Sequence, residues 1–303
     1  MESSDLRVFQ AVVREGSITR AAERLGYVQS NVTARIRQLE TELQTVLFHR
    51  HNRGMTPTPS GKMLLSYADK IIGLLDEAGK AMSLSSEPHG PLQLGSTQTS
   101  AAVYLPALLA NFGNRYPKVV LSLATGSSRD MVEKVLQYEL DGAFVTYPVN
   151  HPELQMLKVA EEELVVFTSP AITDIEEAMT KPILVLPGGC CIRNVFERWL
   201  EANGKPTGII MEFGTIEAII GGVSAGLGIS MLARDVVRKA GMEGRIRIHA
   251  VSEPFRRSET VFVTRKDTIP SGALRAFLEM LQERTDYSQR NTCSTSSGFP
   301  ADF

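Results

Sequence analysis

Between Gln29 and Arg37 the chain sets Gln29, Ser30, Asn31, Thr33, Arg35 and Arg37 around the apolar residues Val32 and Ile36, with Leu39 just beyond. Val32, Ile36 and Leu39 recur at helical spacing and share one face. Gln29, Ser30, Thr33 and Arg37 then lie on or near the opposite face. These side chains suit the edges of base pairs: Gln pairs bidentately with adenine, Ser and Thr donate or accept, and Arg35 and Arg37 reach guanine or phosphate. Gln29, Ser30 and Asn31 open the expected helix, where free backbone N–H groups approach phosphate. Arg50, His51 and Arg53 follow on a turn-rich stretch, so a basic hairpin would lie over the DNA backbone or minor groove. The competing reading is an amphipathic helix whose polar face is merely solvated.

A second set of residues is rich in hydroxyls. "GSTQTSA" places Ser96, Thr97, Thr99 and Ser100 between a strand and a helix, and "TGSSRD" places Ser127 and Ser128 after another strand. Thr146 ends a third strand, and "PGGCCIR" puts Cys190 and Cys191 before a further helix. In open α/β sheets, ligands sit at strand carboxyl ends, where helix N-termini point. Converging hydroxyls and N–H groups favour a small anion such as a carboxylate. Each hydroxyl could instead be an ordinary helix cap or turn former. A thiol at a helix N-terminus is more acidic and more reactive, which leaves a redox or metal sensor through Cys190 and Cys191 as an alternative. Against it, adjacent cysteines make only strained disulfides, and no CxxC or HxxxH spacing is present. There is also no GxSxG motif or P-loop, so neither an enzyme nor a cofactor is expected.

Both sets need elements to position them. "DLRVFQAVVREGS" puts Leu6, Phe9, Val12 and Val13 on one helical face, and Gly16 stops it. "RAAERLG" is a short helix ending at Gly26, with the small Ala21 and Ala22 where helices can cross. The third helix carries Val32, Ile36, Leu39 and Leu43. "LFHRHNRGMTPTPSG" has room for two short strands. "GKMLLSYADKIIGLLDEAGKAMSL" is a long helix with Leu64, Tyr67, Ile71, Leu74, Leu75 and Ala78 on its apolar side. A second copy of the same helix is the simplest partner for that face; docking onto its own domain is the alternative. After the linker "SSEPHGP" the pattern alternates between strands and helices, which implies open α/β sheets in two lobes. Residues 1–62 carry nine Lys and Arg against six Asp and Glu, while the whole chain has a net charge of −2. A basic head on a more acidic body fits a nucleic-acid partner. No run approaches the length of a membrane span and the first residues do not form a signal peptide, so a cytoplasmic location is expected.

"SITRAAERLGYVQSNVTARIRQLETELQTVLFHR" resembles the N-terminal signature of LysR-type transcriptional regulators. The resemblance rests on Ala21-Ala22, Leu25, Gln29, Thr33, Ile36, Leu39-Glu40 and Leu47-Phe48, with "MTPTPSG" similar to that family's exit from the wing. "IEAIIGGVSAGLGISMLAR" is similar to its second-lobe pattern. Ser30 stands where many members have Pro, and Ala34 where a basic residue is common.

The resemblance implies an α/β fold with an N-terminal winged helix-turn-helix (1–58), a linker helix (59–85), a hinge (86–91) and a two-lobed effector domain (92–286) like type 2 periplasmic binding proteins. Lobe I would take 92–160 and 267–286, lobe II 161–266, and 287–303 would be an unstructured tail. It further implies double-stranded DNA with inverted-repeat sites as partner, a homodimer or homotetramer, and a small effector with Thr97, Thr99 and Ser100 in the best-matched positions. RNA polymerase is a further partner it leaves room for. A solute-binding protein without a DNA function is the rival reading.

Overall fold

The computed structural model describes residues 1–51, 54–81, 87–146, 148–188, 191–205 and 208–294. It divides into one compact unit of Met1–Leu84 with Gln137–Glu139, and a second of Ser85–Leu136 with Leu140–Phe303.

The first unit runs α1 (Ser3–Glu15), α2 (Ile18–Leu25), α3 (Gln29–Glu42), β1 (Phe48–His51), β2 (Gly54–Pro57) and α4 (Pro59–Ala81). Gly16 ends α1 with φ 60°, Ser17 accepts from the Arg20 N–H to cap α2, and Gly26 ends α2 with φ 68°. Each stop sits where a left-handed residue is cheap only for glycine. Ala21 and Ala22 are buried at the helix crossing, and Leu6, Phe9, Val12, Val32, Ile36, Leu39, Leu47 and Phe48 fill the core. β1 and β2 form an antiparallel hairpin pinned to the first turn by a 2.9 Å bond from the Met55 N–H to the Gly16 carbonyl. A side chain at Gly54 would collide with that same carbonyl, so the contact requires glycine. Leu43, expected on the apolar face, is instead exposed at the C-cap of α3, because the helix ends there and the chain turns away.

On α4, Ala68, Asp69 and Ile72 are buried on the side facing α1. Met63, Tyr67, Ile71, Leu74 and Leu75 are exposed along another side. The helix is defined through Ala81; residues 82–86, which include the end of the expected linker and the start of the hinge, lie outside the described residues.

The second unit continues with β3 (Gly90–Ser96), α5 (Gln98–Val103), α6 (Leu105–Arg115), β4 (Val119–Thr125), α7 (Ser128–Leu136), β5 (Gly142–Thr146), β6 (Leu154–Thr168) and α8 (Ile175–Ala178). Then come β7 (Ile183–Val185), α9 (Cys191–Ala202), β8 (Ile210–Glu212), α10 (Ile216–Ser224), β9 (Ser230–Ala233), α11 (Arg234–Met242), β10 (Arg247–Ala250), β11 (Arg257–Arg265) and α12 (Gly272–Ser294). β3 lies parallel between β4 and β5, and β11 pairs antiparallel with both β5 and the first part of β6. The second part of β6 pairs with β9 and β10, so this one strand serves both lobes. Phe112, Phe144, Phe262 and Phe277 pack edge-on or tilted in the first lobe; Phe196 and Trp199 stack in the second.

Two boundaries differ from expectation. β11 belongs to the first lobe, although the sequence reading places 161–266 in the second; it pairs with β5, burying Phe262 against α12 and Val261 and Val263 on the side of α7. The tail expected from 287 is helical as far as Ser294, since α12 continues that far with no Gly or Pro from Ala273 to Ser294 to break it. Residues 295–303 lie outside the described residues. No described helix is long and apolar enough to cross a membrane.

Candidate functional site

On the first unit, α3 opens at Gln29 with Gln29, Ser30 and Asn31 exposed. Its N-cap is Val28, whose side chain offers no hydrogen bond, so no capping oxygen covers the first N–H groups. Tyr27 and Val28 are themselves exposed, an apolar rim that the sequence did not single out. Thr33 is half-buried and donates its hydroxyl to the Gln29 carbonyl.

The two arginines of α3 have different fates. Arg35 turns back into the domain: its Nη1 lies 2.7 Å from Asp5 Oδ1 and 3.0 Å from Ser4 Oγ, and its Nε donates to Asn31 Oδ1 at 3.0 Å. Asp5 is 5% exposed, and a buried carboxylate needs a cation. Arg35, expected to contact DNA, thus clasps α3 to α1, while Asn31, also expected there, stays exposed and holds the Arg35 side chain from one turn earlier in α3. Arg37 is exposed and makes no ion pair among the described residues. Arg50 projects from β1, exposed, 3.9 Å from Glu40 Oε2. Arg53 lies outside the described residues.

On the second unit a cavity of about 160 Å³ opens at the carboxyl ends of β3, β4 and β5. Of the expected ligand residues, Thr97, Thr99, Ser127, Ser128 and Thr146 line it. The Thr97 N–H donates to the Phe144 carbonyl at 3.1 Å, which fixes the end of β3 against β5. Thr97 Oγ1 caps α5 and stands 3.2 Å from Thr99 Oγ1 and 3.0 Å from Ser100 Oγ. The Thr146 N–H donates to Ser128 Oγ at 3.1 Å, joining β5 to the start of α7.

Ser96 and Ser100 are corrections: both are fully buried and neither lines the cavity. Ser96 donates to the Thr97 carbonyl. Ser100 sits beside Tyr104, a phenol whose pKa burial pushes up to about 12, so it stays neutral in the core. Cys190 lies outside the described residues. Its neighbour Cys191 is on the cavity wall as the first residue of α9, with Sγ 3.7 Å from the Thr146 carbonyl.

The wall also holds residues outside the expected ligand set, among them Gln98, Asp130 and Ile192. Gln98 crosses from the first lobe to donate to the Gly214 carbonyl of the second at 3.2 Å. Asp130 stands at the start of α7, accepting from Ser127 Oγ at 2.8 Å. Ile192 adds apolar surface. The spacing Ser127-x-x-Asp130 is a capping-box pattern that could have drawn attention to Asp130. Such a wall offers hydroxyl donors and the opening turns of α7 and α9 to an anionic group, and one carboxylate to a cation.

Comparison with known proteins covers both units. A family model described as bacterial regulatory helix-turn-helix protein, lysR family, matches residues 3–62, and one described as LysR substrate binding domain matches 85–286. The chain is 57% identical over 293 residues to the uncharacterized HTH-type transcriptional regulator YusT of Bacillus subtilis, covering 96% of this chain and 99% of the relative. It is 48% identical to the regulator GltR of the same organism, covering 92% and 95%. Among solved structures, a full-length OxyR variant from Pseudomonas aeruginosa superposes with a TM-score of 0.71 at 22% identity, covering 94% of each chain. Full-length CbnR in complex with its target DNA superposes at 0.66, also at 22% identity, covering 94% of this chain and all of the other.

Proposed function

The chain belongs to the LysR family of bacterial helix-turn-helix regulators, which are DNA-binding transcription regulators with an effector-binding domain, and on that premise we propose that the cavity between the two lobes binds a small carboxylate-bearing effector that controls DNA binding. Family membership sets aside the solute-binding protein without a DNA function. The reading is carried by one observation: Thr97, Thr99, Ser127, Ser128 and Thr146 converge on a single cavity from three strand ends, with the second lobe closing it through Cys191 and Gly214. A ligand held by both lobes favours the closed arrangement, and only such differential binding can shift the protein between states.

Gln29, Ser30, Thr33 and Arg37 read or hold the duplex in this proposal, with Arg50 and Arg53 on the wing. The exposed stripe Met63, Tyr67, Ile71, Leu74 and Leu75 supports a second copy paired along α4. A two-fold dimer would read an inverted repeat. A tetramer, a contact with RNA polymerase and a cytoplasmic location follow the family resemblance. A thiol-based sensor keeps one supporting feature, Cys191 on the cavity wall.

The test pairs two measurements on the full chain. Thermal shift against small carboxylates, amino acids and metal ions identifies a ligand, and mobility shift on a duplex selected from a random pool reads DNA binding with and without it. A ligand that alters the DNA shift, and whose effect Thr97→Ala and Thr99→Ala abolish, supports the cavity. A ligand lost only in Cys191→Ser favours the thiol reading. No specific DNA shift at moderate salt would sink the DNA contacts proposed.

A further inference from the structure

Resting on the reading that the cavity is the effector site, we infer that the effector is a small zwitterion of the α-amino acid class, whose ammonium group is held by Asp130. None of the described wall residues is Lys, Arg or His, and Asp130 is the one charged side chain among them. Its carboxylate has no cationic partner among the described residues. The adjacent Arg129 is 80% exposed and pairs with Glu133 at 3.3 Å instead. The capping of α7 occupies only Oδ2, which accepts from the Ser127 N–H at 3.4 Å and Oγ at 2.8 Å. Oδ1 remains to accept from a ligand.

Asp130 is exposed, so solvent screens part of its charge, but a simple carboxylate would still enter a space whose one full charge repels it. The partial positive charge at the start of α9, with the Thr97 and Thr99 hydroxyls, can still hold a carboxylate away from the start of α7, where Asp130 stands. A ligand carrying both groups satisfies both ends and brings no net charge. The volume of about 160 Å³ lies well below the ~300–1,000 Å³ of sites for drug-sized ligands. That favours a short side chain, as in alanine or serine, over a long one. A role for Asp130 in capping alone makes a different prediction, because Asn retains a capping acceptor while removing the charge.

Isothermal titration of the full chain with L-alanine and L-serine, with propionate and 3-hydroxypropionate, and with ethylamine and ethanolamine separates the possibilities. Binding of a zwitterion about tenfold or more tighter than its deaminated or decarboxylated counterpart is expected, since a charge-assisted hydrogen bond is lost in each. Asp130→Asn should cut zwitterion affinity by about the same factor and leave the carboxylates unchanged or tighter. Equal binding of propionate and alanine, or an Asp130→Asn variant that binds alanine normally, overturns the ammonium contact and leaves the cavity reading standing. Equal binding of ethylamine and alanine overturns the carboxylate half. Binding by none of the six probes overturns this inference; if the wider ligand screen also gives no Thr97-dependent effect, the cavity reading falls with it.

Discussion

On the proposed DNA-reading face the side chains come from one helix and one hairpin, whereas the cavity wall is gathered from loops that lie as far apart in the chain as Thr97 and Gly214. The face is mostly exposed and its side chains hold little else in place. The cavity side chains are also structural: Thr97 caps α5, Ser128 receives the β5 backbone, and Asp130 caps α7. Function and stability should therefore separate on the face and travel together in the cavity. Arg35 is the exception on α3, since it is a tether rather than a reader.

The largest effect should come from that exception. Arg35→Ala leaves the buried Asp5 carboxylate unpaired and should cost about 2–4 kcal/mol in the stability of the head, measured by denaturant unfolding, with DNA binding lost alongside. Adding Asp5→Ala should recover part of the loss. An Arg35→Ala protein of normal stability that fails on DNA would return Arg35 to the reading set.

Arg37→Ala should do the opposite. Unfolding should stay within ~0.5 kcal/mol of the parent, while DNA affinity falls by about 1–2 kcal/mol. If Arg37 holds phosphate, the salt dependence also becomes shallower by about 0.9 in log–log slope. If it reads a base, the slope holds and sequence preference relaxes at one position.

In the cavity, Thr97→Ala should lose about 1 kcal/mol of stability with the cap of α5, and lose the ligand response as well. Thr97→Ser, which retains the hydroxyl, should restore both. Ligand binding lost without any stability cost would show that the two roles are separable there too.

The smallest effect is a gain. Val28 sits at an N-cap with extended geometry, φ −81° and ψ 147°, and no capping oxygen. Val28→Ser should add about 0.5–1 kcal/mol to the head in thermal unfolding. A change in DNA preference in the same variant would mean that the exposed Val28 side chain also meets the duplex.

Much of this was legible in the residues. Helical spacing is a local property, so Val32, Ile36 and Leu39 identified the inward face of α3 and left Arg37 outward. Gly16 and Gly26 marked both helix ends because only glycine takes positive φ there cheaply. Arg35 was misread because its partner, Asp5, lies on another helix. The first part of β6 and all of β10 were not anticipated. Residues 154–163 read LQMLKVAEEE, whose apolar residues are broken up by Gln155 and Lys158 and end in three glutamates, and they are held by cross-strand pairs such as Lys158 with Glu259 and Arg257 with Glu161. Such pairing cannot be seen from one strand.

The cavity marks the boundary most sharply. Loop composition placed hydroxyls at the strand ends, which follows from how open α/β sheets present those ends to a ligand. It could not say that Ser96 and Ser100 turn into the core while Thr97 and Thr99, themselves buried, line the cavity, nor that Asp130 shares their wall. The sequence determined what repeats within a few residues: helix faces, glycine stops, strand-end loops and the basic head. Only the tertiary structure decided which charges are spent internally and which face the cavity, because that depends on neighbours brought together from distant parts of the chain.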